Sequence, residues 1–351
     1  METNTLPLTL DLENATFTQK EINDFEIDIK IKIDVPQKLY KYYSLSDYSL
    51  KGLKNNTLYF SHANLLNDVM DGNFMLWDME DFITQYKKDR KINSDNDQEL
   101  TIIGINQISK PILECRGILS LCGTYKNELI WAHYTNETGY CIELDTKDLK
   151  ESLNDSHKSE NCHFFPVSYN TLKQIDFFKY SHSKTRENKK NVSAILPLLY
   201  CFAQKDNCWK YENEWRFLLR DRKFNSISFP LEIINDEDKS QEDDRKIGGN
   251  IEINKDVISK VILAPLFFNN SRFNKEESNS DCFIYNVKNN NEGKNAKDFL
   301  DILKKSFGNK IYQVDKIIIN KHVCREIKYK IEITDIGENF IKLIKKIEKN
   351  I

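Results

Sequence analysis

The sequence is poor in the residues from which most nucleotide-binding and metal-binding sites are built. Eleven glycines and seven prolines in 351 residues amount to about 3% and 2%, against the usual ~7% and ~5%. A glycine-rich phosphate loop has little raw material here, and neither the P-loop nor the Rossmann fingerprint occurs. Collagen-like and linker-rich designs fail for the same reason. The eight cysteines, at 115, 122, 141, 162, 201, 208, 282 and 324, include no C-x-x-C pair and lie scattered through apolar stretches. They read as reduced, mostly buried thiols of a cytoplasmic protein. The six histidines show neither H-E-x-x-H nor paired Cys/His spacing, so no metal is expected. Long hydrophobic runs are missing too: the longest, at residues 194–203, is too short to span a bilayer and contains Pro197. The N-terminal stretch is polar and acidic, without the basic and apolar regions of a secretory signal. Fifty-one basic and 54 acidic residues leave a net charge of −3, which gives no bulk attraction to nucleic acid or to anionic membranes.

What is present fits a soluble globular chain: 40% hydrophobic and 30% charged residues. Sixteen tyrosines and 20 phenylalanines suit β-structure and aromatic-lined pockets. The patterning predicts an α+β fold, a mixed or antiparallel central sheet with flanking helices. An N-terminal extension covers 1–36, a core domain 37–265, and a C-terminal α/β extension 266–351 packs on that core. Strict alternation at 25–33 predicts a half-buried strand. Further strands are expected at 39–43, 57–61, 115–122, 140–144, 164–169, toward 219, and at 257–263, 311–319 and 326–334. Helices are expected at 44–55 with Ser46 as N-cap, at 74–90 with an aromatic stripe facing the core, at 127–134 and at 298–307. Residues 170–205 read as mainly helical, 234–248 as an acidic surface loop, 269–295 as irregular, and 336–351 as a basic amphipathic helix with a solvated basic face.

Three segments carry chemistry-bearing side chains. The E-N-E-W-R stretch at 212–216, read as a strand, puts Glu212, Glu214 and Arg216 on one face and Trp215 and Phe217 on the other. That polar face is either a solvated edge or the wall of a cleft. The S-L-C-G-T stretch at 120–124 runs into L-I-W-A-H-Y at 129–134, where Trp131 and Tyr134, three apart, share a helix face beside His133. The third is L-Y-K-Y-Y at 39–43, with Lys41 alternating against Tyr40 and Tyr42, followed by L-Y-F-S at 58–61 and Asn67, Asp68 and Asp71.

Together these stretches resemble the bacterial family catalogued as domain of unknown function 2971. Its pattern runs from an L-Y-K-Y strand through L-Y-F-S, an F-N-D…D loop, W-x-H-Y before G-x-C, and a closing E-x-E-W-R strand. Here these are 39–42, 58–61, 66–71, 131–141 and 212–216, with Tyr43 where the family usually has Arg and Leu66 where it has Phe. Their order is similar to that of the ADP-ribosyltransferase superfamily. That second resemblance implies an ADP-ribosyltransferase-like core and an intracellular enzyme, a toxin or anti-phage effector, that moves ADP-ribose from NAD to an unknown protein or nucleic-acid acceptor. It implies three stretches converging on one pocket. Glu214 would face the oxocarbenium-like transition state and Glu212 would orient the acceptor. NAD would be held by Lys41, Tyr42, Ser61, Ser120, Trp131, His133, Tyr134 and Arg216, with no metal. Two alternatives remain open: a non-catalytic ligand- or partner-binding sensor, and a metal-dependent nuclease using Asp68, Asp71, Glu212 and Glu214.

Overall fold

Alternating apolar residues, a set of short capped helices and one all-apolar helix build the chain into an α+β structure containing a large mixed sheet. The computed structural model describes residues 6–20, 27–62, 66–92, 104, 116–157, 162–186, 189–220, 248–279, 281–319 and 321–348. The chain divides into two units that interleave along the sequence. Met1–Val35, Tyr59–Ser120 and Leu153–Gly249 make the first; Pro36–Leu58, Leu121–Ser152 and Asn250–Ile351 make the second.

In the first unit the alternation expected at 25–33 is seen as β3 (Ile27–Ile31). It pairs antiparallel with β2 (Ala15–Gln19), which pairs with β1 (Leu8–Asp11). Phe17 packs edge-on against Phe165 at 5.5 Å. Phe165 lies on β8 (Cys162–Pro166), the antiparallel partner of β13 (Glu214–Arg220). Two-residue strands β9 (Ser168–Tyr169) and β12 (Gln204–Lys205) pair in parallel. Between them lies a departure from expectation. Residues 170–205 are not mainly helical but contain the hairpin β10 (His182–Arg186) and β11 (Lys189–Ser193) and a single helix, Ile195–Phe202. The polar run before 195 is rich in Ser, Thr and Asn, whose side chains compete with helical backbone bonds. The eight residues of the helix are all apolar and all buried. Its Pro197 lies in the first turn, where a missing N–H costs nothing, and accepts through its carbonyl from Trp77 Nε1 at 3.1 Å. Phe74, Trp77, Phe82 and Tyr86 are core residues as expected. The helix carrying the last two starts only at Met79–Arg90, capped by Asp78, after a 3₁₀ turn at Phe74–Leu76.

In the second unit β4 (Lys38–Tyr43) pairs antiparallel with β7 (Tyr140–Asp145), which pairs antiparallel with β15 (Ile258–Leu263). β15 runs parallel to β18 (Ile311–Ile319), and this pair makes the sheet mixed. β18 continues antiparallel into β19 (His322–Ile336), β20 (Phe340–Ile347), β17 (Cys282–Val287) and β16 (Phe273–Ser278). Helix α1 (Asp47–Lys54) opens on Ser46 in a reciprocal capping box with Ser49. The expected helix at 336–351 is instead β20. Its apolar residues suit either period, but Ile341 and Leu343 are buried around an exposed Lys342, and strands on both sides take up its backbone. Nor is 269–295 irregular: it holds β16, β17 and the start of the helix Asn291–Phe307, seven residues earlier than expected and capped by Asn290. That helix buries Ala296, Phe299, Leu300, Leu303 and Phe307.

Strands β5 (Thr57–Ser61), β6 (Arg116–Cys122) and β14 (Gly248–Glu252) and the helix Thr146–His157 lie where the sequence passes from one unit to the other. The acidic loop expected at 234–248 lies outside the described residues up to 247. Of the described cysteines, only Cys141 and Cys201 are buried and Cys208 is exposed, so the thiols are less buried than the sequence suggested. Among the described residues no helix is long and apolar enough to cross a membrane.

Candidate functional site

The E-N-E-W-R stretch does not form a continuous strand. A 3₁₀ turn, Asn207–Glu212, capped by Asp206, ends on Asn213 in the left-handed region at φ 44°, and β13 begins only at Glu214. Asn tolerates that conformation better than most residues. Glu212 therefore does not share a strand face with Glu214 and Arg216. Both still reach one cluster, because Lys205 joins them from the other side of the turn. The solvated polar face weighed in the sequence is absent: β13 is buried on both faces up to Leu219, with Arg216 at 0% exposure and Glu214 at 4%.

Within the first unit the Arg216 guanidinium donates from Nε to Glu214 Oε1 at 2.7 Å and from Nη2 to Glu214 Oε2 at 3.0 Å. Nη1 donates to Asp71 Oδ1 at 2.6 Å and to the Phe202 carbonyl at 2.8 Å, and Nη2 also reaches Asp71 Oδ2. Its five donors are matched by five acceptor contacts. Lys205 Nζ lies 2.7 Å from Glu212 Oε2, 2.8 Å from Glu214 Oε2 and 3.4 Å from Asp71 Oδ2, with the Trp209 ring at 5.4 Å. Asp71 is presented by a tight loop. Gly72, at φ 71°, donates to the Cys201 carbonyl at 3.1 Å, and a Cβ there would run into the Phe202 ring. The Glu214 backbone N–H donates to Tyr169 Oη at 2.7 Å.

Burial alone would push the Glu214 carboxyl up, but Arg216 and Lys205 together hold it well below the usual carboxylate range. Burial would likewise pull Lys205 down, and Glu214 and Asp71 hold it above an ordinary lysine. Three carboxylates thus face two cations in a buried setting, which holds Glu214, Lys205 and Arg216 in their charged forms. Lys205 and Tyr169 were not anticipated. The readable signal for Lys205 is a lone lysine directly after ten nearly all-apolar residues.

The other residues assigned to NAD by resemblance are divided between the two units. In the second unit Tyr42 donates to the Thr124 carbonyl at 2.9 Å and meets Trp131 edge-on at 4.9 Å. Trp131 is fully buried, donates from Nε1 to the Tyr125 carbonyl at 2.6 Å, and has the Arg325 guanidinium over its ring at 5.9 Å. Its faces are covered, so it offers no stacking surface. Trp131 and Tyr134 do not present a common wall, because the helix Glu128–Thr135 buries Ile130, Trp131 and Thr135 and leaves His133 and Tyr134 exposed. Lys41 is half-buried on β4 opposite Ile142, and Tyr43 stacks on Tyr140 at 5.2 Å. Ser61, in the first unit, pairs with Ile118, and Ser120 is half-buried there. Gly139 of the G-x-C motif lies so close to the Tyr43 carbonyl that any Cβ would collide with it.

The metal alternative meets the same chemistry. Asp71, Glu212 and Glu214 converge, but on the Lys205 ammonium, while Asp68 Oδ1 accepts from the Met70 N–H at 3.0 Å. Among the described residues no group of three or more His, Cys, Asp or Glu side chains is placed to hold a metal ion.

The second unit also has a recess of about 480 Å³, within the range of small-molecule sites. Ile331 and Ile333 line its apolar part, and Lys304, Lys330 and Lys346 with Glu332 its polar part. Lys346 pairs with Glu332 at 3.1 Å, leaving the lining net positive.

The chain is thus an α+β protein whose most distinctive motif is a buried ion-paired cluster. A family model described as Protein of unknown function (DUF2971) matches residues 130–217, and this stretch belongs to that family. The match takes in W-A-H-Y, G-Y-C and E-N-E-W-R, and stops short of the earlier L-Y-K-Y and L-Y-F-S segments. No curated protein and no solved structure matches the chain.

Proposed function

We propose that this chain is a non-catalytic binding protein. In this reading the 212–216 motif with Asp71 and Lys205 is an internal charge lock, and the lysine-lined recess of the second unit takes a small anionic ligand. One observation carries the reading: both oxygens of Glu214 are held by cations inside the fold, at 4% exposure. A carboxylate that stabilises a developing positive charge has to present its own charge to the substrate. Here Arg216 and Lys205 cancel that charge at contact distance.

ADP-ribosyl transfer from NAD, as a toxin or defence activity on a macromolecular acceptor, is the second reading. The motif order favours it, as does a carboxylate kept ionised at every physiological pH. The two are separated by incubating the protein and its Glu214→Gln variant with labelled NAD and cell lysate. The binding reading predicts no released nicotinamide and no labelled acceptor from either protein. Nicotinamide and a labelled acceptor from the parent, and neither from a folded variant, would establish transfer and remove the binding reading.

A further inference from the structure

The register of the second unit's sheet brings together a group that none of the motifs above uses. Gln313 on β18 lies opposite Tyr329 on β19, Ile331 on β19 opposite Lys345 on β20, and Phe283 on β17 opposite Leu343 on β20. With period-two side chains this places Gln313, Tyr329, Lys345, Phe283 and Tyr285 on one face. Lys345 Nζ lies 4.5 Å from the Phe268 ring centroid, 5.2 Å from Phe283 and 5.7 Å from both Tyr285 and Tyr329. It donates to Gln313 Oε1 at 2.9 Å. Gln313 is fixed in that orientation because its Nε2 donates to the carbonyls of Ala264 at 3.1 Å and Pro265 at 3.2 Å. Phe268, Phe283, Tyr329 and Lys345 itself are only partly buried, so the amine is walled by aromatics yet reachable. An exposed Lys275 on β16 also stands over the Phe283 ring, at 5.2 Å.

We propose that Lys345 is the nucleophile of a carbonyl-binding site, which takes a planar aromatic aldehyde carrying an anionic group and holds it as an imine. The rings accept the planar ligand, Lys275 accepts its anion, and Gln313 takes one hydrogen of the amine and so aims the lone pair. The nitrogen lone pair forms a bond to the carbonyl carbon as the C=O π pair moves to oxygen, which is protonated. The carbinolamine then loses water as the nitrogen gives up its protons, leaving C=N. The step consumes no oxidant or reductant and reverses by hydrolysis. The electrostatics agree with it: burial, helped by Lys275, lowers the Lys345 amine to about 8. Asp315, the carboxylate that opposes the shift, is itself paired with Lys328 at 2.8 Å, and the titratable side chains of Tyr285 and Tyr329 bring their rings to 5.7 Å from the amine. At pH 7.5 such an amine is about a quarter neutral, against roughly a thousandth for an ordinary lysine. This site is independent of the charge lock and of the recess.

The test treats the whole protein with 4-formylbenzoate and cyanoborohydride at pH 7.5 and maps the reduced adducts by peptide mass. Lys345 is expected to label at least about tenfold faster than the adjacent, exposed Lys346, with a rate that rises through a midpoint near 8. Lys345→Arg is expected to remove that adduct and leave the rest. Equal rates at 345 and 346, measured within one folded molecule and so independent of any variant, overturn the proposal, as does a midpoint near 10.5. Benzaldehyde, lacking the anion, is expected to react more slowly; an equal rate overturns the role given to Lys275.

Discussion

Replacing Arg216 by Met removes the one group that holds Asp71, Glu214 and the Phe202 carbonyl together. Met fills much of the volume, so the cost is electrostatic rather than a cavity. Three carboxylates are then left with the single ammonium of Lys205 in a site buried from solvent. Breaking a buried pair by removing one partner costs about 3–5 kcal/mol, a large share of the 5–15 kcal/mol typical of a folded domain. Urea unfolding followed by circular dichroism and tryptophan fluorescence reads this directly, since Trp215 adjoins the arginine in β13. Arg216→Lys supplies the control: it restores the charge without the planar fork that bridges two carboxylates, and its unfolding midpoint should fall between the other two. An Arg216→Met protein that unfolds at the parent's midpoint would refute the reasoning, because the guanidinium would then be neither dry nor needed.

Two further outcomes follow from the same structure. Glu214 is held below its ordinary value of 4.5 in the fold, so its stabilisation is present above pH 4.5 and drains away as pH falls, by up to about 1.4 kcal/mol per pH unit. Lys205 is held above 10.5, so its share is present below that value and lost as pH rises through the folded one. The gap in urea midpoint between the parent and Glu214→Gln should therefore hold steady between about pH 5 and 10 and narrow on either side. Gly139→Ala, which drives a Cβ into the Tyr43 carbonyl, should cost more than about 2 kcal/mol, read as a lower thermal midpoint. An unchanged midpoint would show that β4 and β7 can part at that point.

Much of the fold was legible because its elements obey single, local rules. Ser46 as an N-cap made a helix start readable, and the spacing of Phe74, Trp77, Phe82 and Tyr86 gave a core face. Strands 311–319 and 57–61 came out at their observed bounds. Failures fell where partners decide. Residues 340–347 fit two periods, and only neighbouring strands choose between them. The segment around 273–287 opens with mostly polar residues and is drawn into the sheet by its neighbours. At the site, the sequence identified Glu212, Glu214 and Arg216 and the loop bearing Asp71, yet not what they meet. The left-handed Asn213 breaks the strand, and Lys205 closes the cluster from a segment with no motif of its own. Charge spacing along a chain does not reveal whether a carboxylate faces a substrate or a buried ammonium.

The most direct test is the unfolding midpoint of Glu214→Gln beside the parent at neutral pH. A glutamine there turns an amide toward the donors of Arg216 or Lys205, so the lock predicts a fall worth about 2 kcal/mol or more. Active-site carboxylates are commonly held at a cost to the fold; a midpoint equal to or above the parent's would contradict the lock and point Glu214 back toward chemistry.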